Sequence, residues 1–191
     1  MLTTSHAILN STLLGRKTEP QRYWPLILGA LLPDIPGFLN AVWKTVQAAS
    51  NHWTWDDSYY SAAWMPWVDW AHSIPLAITL TLLCLLFRSQ PGLYFSLSMF
   101  LHDVEDLFVH SIKSHHHFLP FSDYRFISPI SCGEPQFHAA FVVPAEWALV
   151  VGCCFLLWKR HPSPWLKWGL IFICAAQGFG ALYFVLVGQF H

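Results

Sequence analysis

The feature that most narrows the fold of this chain is a series of long apolar runs cut apart by short polar turns, over about Trp24–Trp43, Val68–Phe87, Leu93–His110, His138–Trp158 and Trp165–Val187. The hydrocarbon core of a bilayer takes about 20 apolar residues in helical form, so each run is long enough to cross or nearly cross one. Where no water is available to pair with backbone groups, the helix satisfies them internally. Charge supports the same reading: 11% of the 191 residues are charged against 54% hydrophobic, where a soluble domain carries about a quarter charged. The expected fold is all-α, a polytopic membrane helical bundle of about five spanning or partly spanning helices. Residues 1–191 form one domain with a long loop at 111–137 rich in His, Pro and aromatics. Residues 3–14 have a helical rhythm but are too short to cross, so a short N-terminal interfacial or re-entrant helix is expected there.

Several classes of function are set aside by composition. The formal net charge is -1 with Lys and Arg in small scattered groups, so no basic surface points to nucleic acid. Cys84, Cys153, Cys154 and Cys174 lie inside apolar runs, and Cys132 lies in a polar loop. No CxxC pair occurs, so neither a redox motif nor a zinc ribbon is indicated. The first residues lack a basic start and a small-residue cleavage site, which argues against a cleaved signal peptide. Placing the N-terminus in the cytoplasm puts seven Lys and Arg inside (Arg16, Lys17, Arg22, Arg88, Lys159, Arg160, Lys167) and three outside (Lys44, Lys113, Arg125), the asymmetry expected of a membrane protein. This puts the loop at 111–137 on the outer side, whereas His6, ahead of the first basic group, starts from the inner side.

In so apolar a chain, the ionisable groups inside the runs mark the site, because burying them at membrane depth is costly and usually has a task. The stretch Leu101–Asp123, LHDVEDLFVHSIKSHHHFLPFSD, is the densest. His102 and Asp106 stand one turn apart on a helix face, with Asp103 and His110 nearby and Glu105 pointing elsewhere. An imidazole and a carboxylate so spaced chelate one divalent ion with little rearrangement. Asp34 sits in GALLPDIPG, where Pro33, Pro36 and Gly37 must break or kink the helix. Asp69 and His72, three apart in DWAHS, place a carboxylate where it orients an imidazole or caps the helix. Glu146 is a further candidate ligand or structural acid, and Arg125 a candidate partner for a phosphate or carboxylate. His52, beside Asp56 and Asp57 in the aromatic connection 44–66, reads as a solvated loop residue.

The order of these motifs resembles a family, the bacterial inner-membrane proteins known as membrane-bound metal-dependent hydrolases. The matching pieces are SHAILN with His6, LLPDIP with Asp34, AHS with His72, and the HxxxD helix from His102 to Asp106. The same order is similar, more distantly, to the metal-site order of zinc-dependent phospholipase C. The resemblance implies a multinuclear zinc site with Asp34 as a bridging carboxylate and the named histidines as ligands; the expected number of ions is one to three. It also implies an inner-membrane location. After Asp106 the chain departs from the phospholipase pattern, since no HxxxE pair follows.

Three readings compete. In the first, His6, Asp34, His72, His102 and Asp106 bind a divalent metal, zinc or else Mn²⁺ or Fe²⁺. Asp69 and Asp103 then support the site, and His110 or the triple histidine acts on a lipid-like ester or phosphodiester drawn from the bilayer. His110 and Asp103 are the residues expected to take part in catalysis. In the second, the same residues form a metal-ion or proton path. In the third they are polar glue in a non-catalytic scaffold.

Overall fold

The computed structural model describes residues 1–47, 64–161 and 163–188, and these contain helices and turns with no strand. The connection carrying His52, Asp56 and Asp57 lies outside the described residues. The helices are α1 (Thr3–Leu14), α2 (Tyr23–Leu31), α3 (Ile35–Gln47), α4 (Met65–Ala71), α5 (Ile74–Leu86), α6 (Gln90–Val109), α7 (Ala139–Arg160) and α8 (Pro164–Tyr183).

Local sequence sets several of these boundaries. Ser73 and Ser89 cap α5 and α6 by accepting from the backbone N–H groups of Leu76 at 3.2 Å and Gly92 at 3.3 Å, each followed by a proline in the first turn where no donor is lost. α5 and α6 then pack against each other as the expected hairpin. α6 is the axis of the molecule and touches α1, α2 and α5. Gly29 is where α2 comes closest to it: a Cβ there would lie 2.1 Å from the Phe95 carbonyl oxygen, so only glycine fits. Ser98 Oγ donates to Leu26 O at 2.6 Å across the same contact, and Asn10 Nδ2 donates to Ser98 O at 2.9 Å, tying in α1. Small residues and interhelical hydrogen bonds of this kind hold helices together where lipid offers no hydrophobic drive.

Among the described residues, three helical stretches are long and apolar enough to cross a membrane: Pro20–Lys44, Ala139–Arg160 and Pro164–Leu186. The pair α4 and α5, bent by 46° at their junction, makes a fourth if counted as one span. A five-span bundle is therefore not established, because α6, although 20 residues long, carries Asp103, Glu105 and Asp106. The expected break at Pro33 and Pro36 is mild: a 3₁₀ turn, Leu32–Asp34, joins α2 to α3 inside one spanning run. The N-terminal helix is not peripheral. α1 packs among α2, α6 and α7, with Ser5, His6, Asn10 and Ser11 buried beside Ile8 and Leu9.

The distribution of polarity is that of a membrane protein. Large apolar side chains such as Leu86, Phe172 and Phe179 are exposed on the outside, while histidines, aspartates and serines fill the interior. A continuous apolar exterior of this extent marks contact with lipid or protein.

Candidate metal centre

Four side chains from three parts of the chain meet at one point: Asp34, His72, His102 and Asp106, all buried, with one donor atom from each lying within 4.8 Å of the others. Two come from irregular backbone. Asp34 ends the 3₁₀ turn between α2 and α3, and His72 occupies the bend between α4 and α5. Interrupted helix at membrane depth is tolerated where it is buried in protein or lines a cavity. The other two, His102 and Asp106, stand one turn apart on unbroken α6.

Tautomers follow from the hydrogen bonds. His72 Nδ1 lies 2.8 Å from Val68 O and His102 Nδ1 lies 2.7 Å from Ala30 O. A carbonyl has no proton to give, so in each ring Nδ1 carries a hydrogen, and in the neutral imidazole Nε2 then holds the lone pair. Both Nε2 atoms are buried without a hydrogen-bond partner. They face carboxylate oxygens: His72 Nε2 is 3.6 Å from Asp34 Oδ1 and 3.8 Å from Asp106 Oδ2, and His102 Nε2 is 3.9 Å and 3.5 Å from the same two atoms. Such distances are too long for a shared proton. They are close to the ~3.4 Å that separates donors placed tetrahedrally about an ion at 2.0–2.2 Å. Bare lone pairs opposite anionic oxygens repel, and a cation between them reverses the sign. The residues therefore fit a divalent metal ion with mixed nitrogen and oxygen donors.

Around this group the structure corrects some sequence readings. Asp69 does not orient His72, because the Val68 carbonyl does. Instead Asp69 accepts from the backbone N–H of His116 at 3.2 Å and from its ring Nδ1 at 2.6 Å. Glu105 does not point elsewhere: its Oε2 is 2.6 Å from His6 Nδ1. His6 is absent from the four-donor group but adjoins it, with Nε2 3.0 Å from Asp106 Oδ1 and its ring stacked on His102 at 3.8 Å between centroids. The same Asp106 oxygen meets the Met1 ammonium at 2.6 Å and His110 Nδ1 at 3.4 Å. Asp106 thus shows one oxygen to the centre and the other to His6 and His110. Thr3 Oγ1 donates to Asp34 Oδ2, giving that carboxylate the same two-sided arrangement.

Asp103 is fully buried, neither of its oxygens has a hydrogen-bond partner among the described residues, and it is close enough to Asp34 and Asp106 to interact with their charges. Buried beside two further carboxylates, it needs either a proton or a nearby cation. His110 lies at the edge, with Nδ1 3.1 Å from Asp106 O and Nε2 3.8 Å from Cys132 Sγ. Glu146 is no part of the group: it accepts from Leu2 N at 2.8 Å and Ser5 Oγ at 2.5 Å, a carboxylate at the N-terminus of α1 where the helix dipole favours it. Arg125, exposed, donates from Nε to His116 Nε2 at 3.0 Å. Sequence gave no sign that His115 and His117 are buried.

No family model matches the chain, and neither a curated protein nor a solved structure matches it.

Proposed function

We propose that this chain is a membrane-bound metal-dependent hydrolase acting on an ester or phosphodiester of a lipid-like molecule in the bacterial inner membrane, with Asp34, His72, His102 and Asp106 as the metal ligands. The observation that carries the reading is the pair of unpartnered Nε2 atoms facing two carboxylates at ion-bridging distances. A divalent ion of the zinc type held by these residues would supply Lewis acidity and lower the pKa of a bound water. The chain's own residues do the rest. Val68 O and Ala30 O fix the two imidazoles, as outer partners of metal-bound histidines do. Asp103, buried beside Asp34 and Asp106, lines the ion's surroundings, and His110, at the edge and held by Asp106, is placed to hold or pass a proton at Nε2.

An amphiphilic substrate is favoured by a cavity of about 330 Å³ lined by Leu2, Val143, Trp147, Gly180, Phe184 and Cys132 among others, the last with its Sγ 3.8 Å from His110 Nε2. This is a usual size for a ligand pocket, mostly apolar with a few polar groups. The chain, purified in detergent and loaded with Zn²⁺, is expected to cleave fluorogenic ester or phosphodiester lipids in mixed micelles, and His102→Ala to abolish the cleavage. Zn²⁺ uptake into proteoliposomes without hydrolysis would replace this reading with transport.

A further inference from the structure

We propose that an anionic phospholipid of the bilayer seats one acyl chain in the groove between α1, α2 and α8 and sets its phosphate at the basic end of that groove, beside Lys17 and Arg160. The groove shares no lining residue with the cavity assigned to the substrate, and the proposal does not depend on the metal centre.

The groove encloses about 530 Å³ and its lining is almost wholly apolar, with Ile8, Ile27, Leu31, Leu166, Leu170 and Ile173 among its walls. Space of this size takes a ligand, and space this apolar does not hold water. Hydrocarbon fits it. The direction of the groove also agrees with a lipid chain. Tyr23, His161 and Leu166 stand at the ends of the three membrane-crossing stretches, whereas Leu31 and Ile173 lie deeper along α2 and α8. At 1.5 Å per residue the groove runs inward for about 11 Å, most of the ~15 Å of hydrocarbon in one leaflet.

Its outer end is polar and positive. His161 Nε2 and Ser11 Oγ are buried there without a hydrogen-bond partner. The Tyr23 ring meets His161 edge to face at 4.6 Å between centroids, and its hydroxyl lies near the Arg160 guanidinium but not in a hydrogen bond of ordinary geometry. Burial, and next the charges of Arg160 and Lys17, hold His161 below its ordinary range, so both cations act at this ring. Glu19, the one acid on the connection between α1 and α2, is taken by Arg22. Arg160 Nη1 donates to Thr12 O at 2.6 Å. A guanidinium carries five N–H donors, so that single bond leaves it able to take a phosphate. Two cations above an apolar slot complement a phosphate joined to a hydrocarbon chain. A zwitterionic head brings a further positive charge to the same place and fits less well.

The test is native mass spectrometry of the full chain released from detergent, with phosphatidylglycerol and phosphatidylcholine of equal chain length offered together. One phosphatidylglycerol per chain is expected to stay bound, preferred by at least about fivefold, the gain from one basic residue at a membrane surface. Lys17→Gln, at an exposed position, should cut that preference by about fivefold. Gly169→Trp and Ile27→Trp fill the groove from facing helices and should release the lipid; a Cβ on Gly169 meets nothing within 4 Å, so that substitution starts without a clash. Equal retention of the two lipids, no retention of either, a preference unmoved by Lys17→Gln, or a lipid that survives both tryptophans overturns the proposal. A lipid that needs Zn²⁺ and leaves on chelation overturns it as well, because it would then be held at the metal centre. Retention of phosphatidylglycerol in the presence of chelator supports it whether or not the hydrolase reading stands.

Discussion

α6 and α8 are both 20 residues long, and they are built for opposite purposes. α6 buries Ser96, Ser98, Met99, His102, Asp103 and Asp106. α8 buries only Leu170, Gln177 and Ala181 and leaves Phe172 and Phe179 about three-quarters exposed. Each helix satisfies its own backbone, so the difference lies in what the side chains must find. α8 needs only an apolar surrounding. α6 needs the donors and carbonyls delivered by α1, α2, the α4–α5 bend and the following loop, and so it stands at the centre of the bundle. Removing a partner from α6 should therefore matter far more than trimming α8.

The largest effect is expected for Asp106→Ala, which takes an oxygen from the metal group and the common partner from His6 and His110. Its metal affinity should fall by more than about 100-fold, the upper range for losses merely behind a ligand, as read by competition with a chelating dye. An unchanged affinity would remove α6 from the site. Gly29→Leu should come next. The added side chain meets the Phe95 backbone, and overpacking costs ~1–3 kcal/mol, seen as a lower midpoint in thermal or denaturant unfolding in detergent. Because α2 carries Ala30 O, which fixes His102, this variant should also bind metal more weakly. Phe172→Ala should be the mildest, within about 0.5 kcal/mol, as for surface positions without special contacts. A cost several times larger would show that this face of α8 packs on protein rather than lipid.

Much of this contrast was legible in the sequence. The apolar runs marked the helices, and the one-turn spacing of His102 and Asp106 together with Asp34 among prolines and His72 at a helix start pointed to the four residues that converge. What sequence could not show was the backbone's share. The carbonyls of Val68 and Ala30 set the tautomers of His72 and His102, and a carbonyl is present at every position whatever the side chain. Asp69 was assigned to His72 by spacing, but the bend after α4 turns it toward His116. The burial of His115 and His117 arises from contacts across more than forty positions, such as His117 O with Ile74 N, and a histidine-rich tract reads as solvated when taken alone. The depth of α1 was hidden for a related reason. Its buried Ser and Asn look like surface residues until Glu146, Gln177 and Ser98 supply partners.

The central claim is that Asp34, His72, His102 and Asp106 share one ion. X-ray absorption at the zinc edge, on the full chain loaded with a single equivalent of Zn²⁺, tests it most directly. The predicted spectrum contains two imidazoles with nitrogen near 2.0–2.1 Å and carboxylate oxygen near 2.0–2.2 Å, and loses one imidazole when His72→Ala is added. A shell of water-like oxygen without imidazole scattering, unaltered by that substitution, would contradict it.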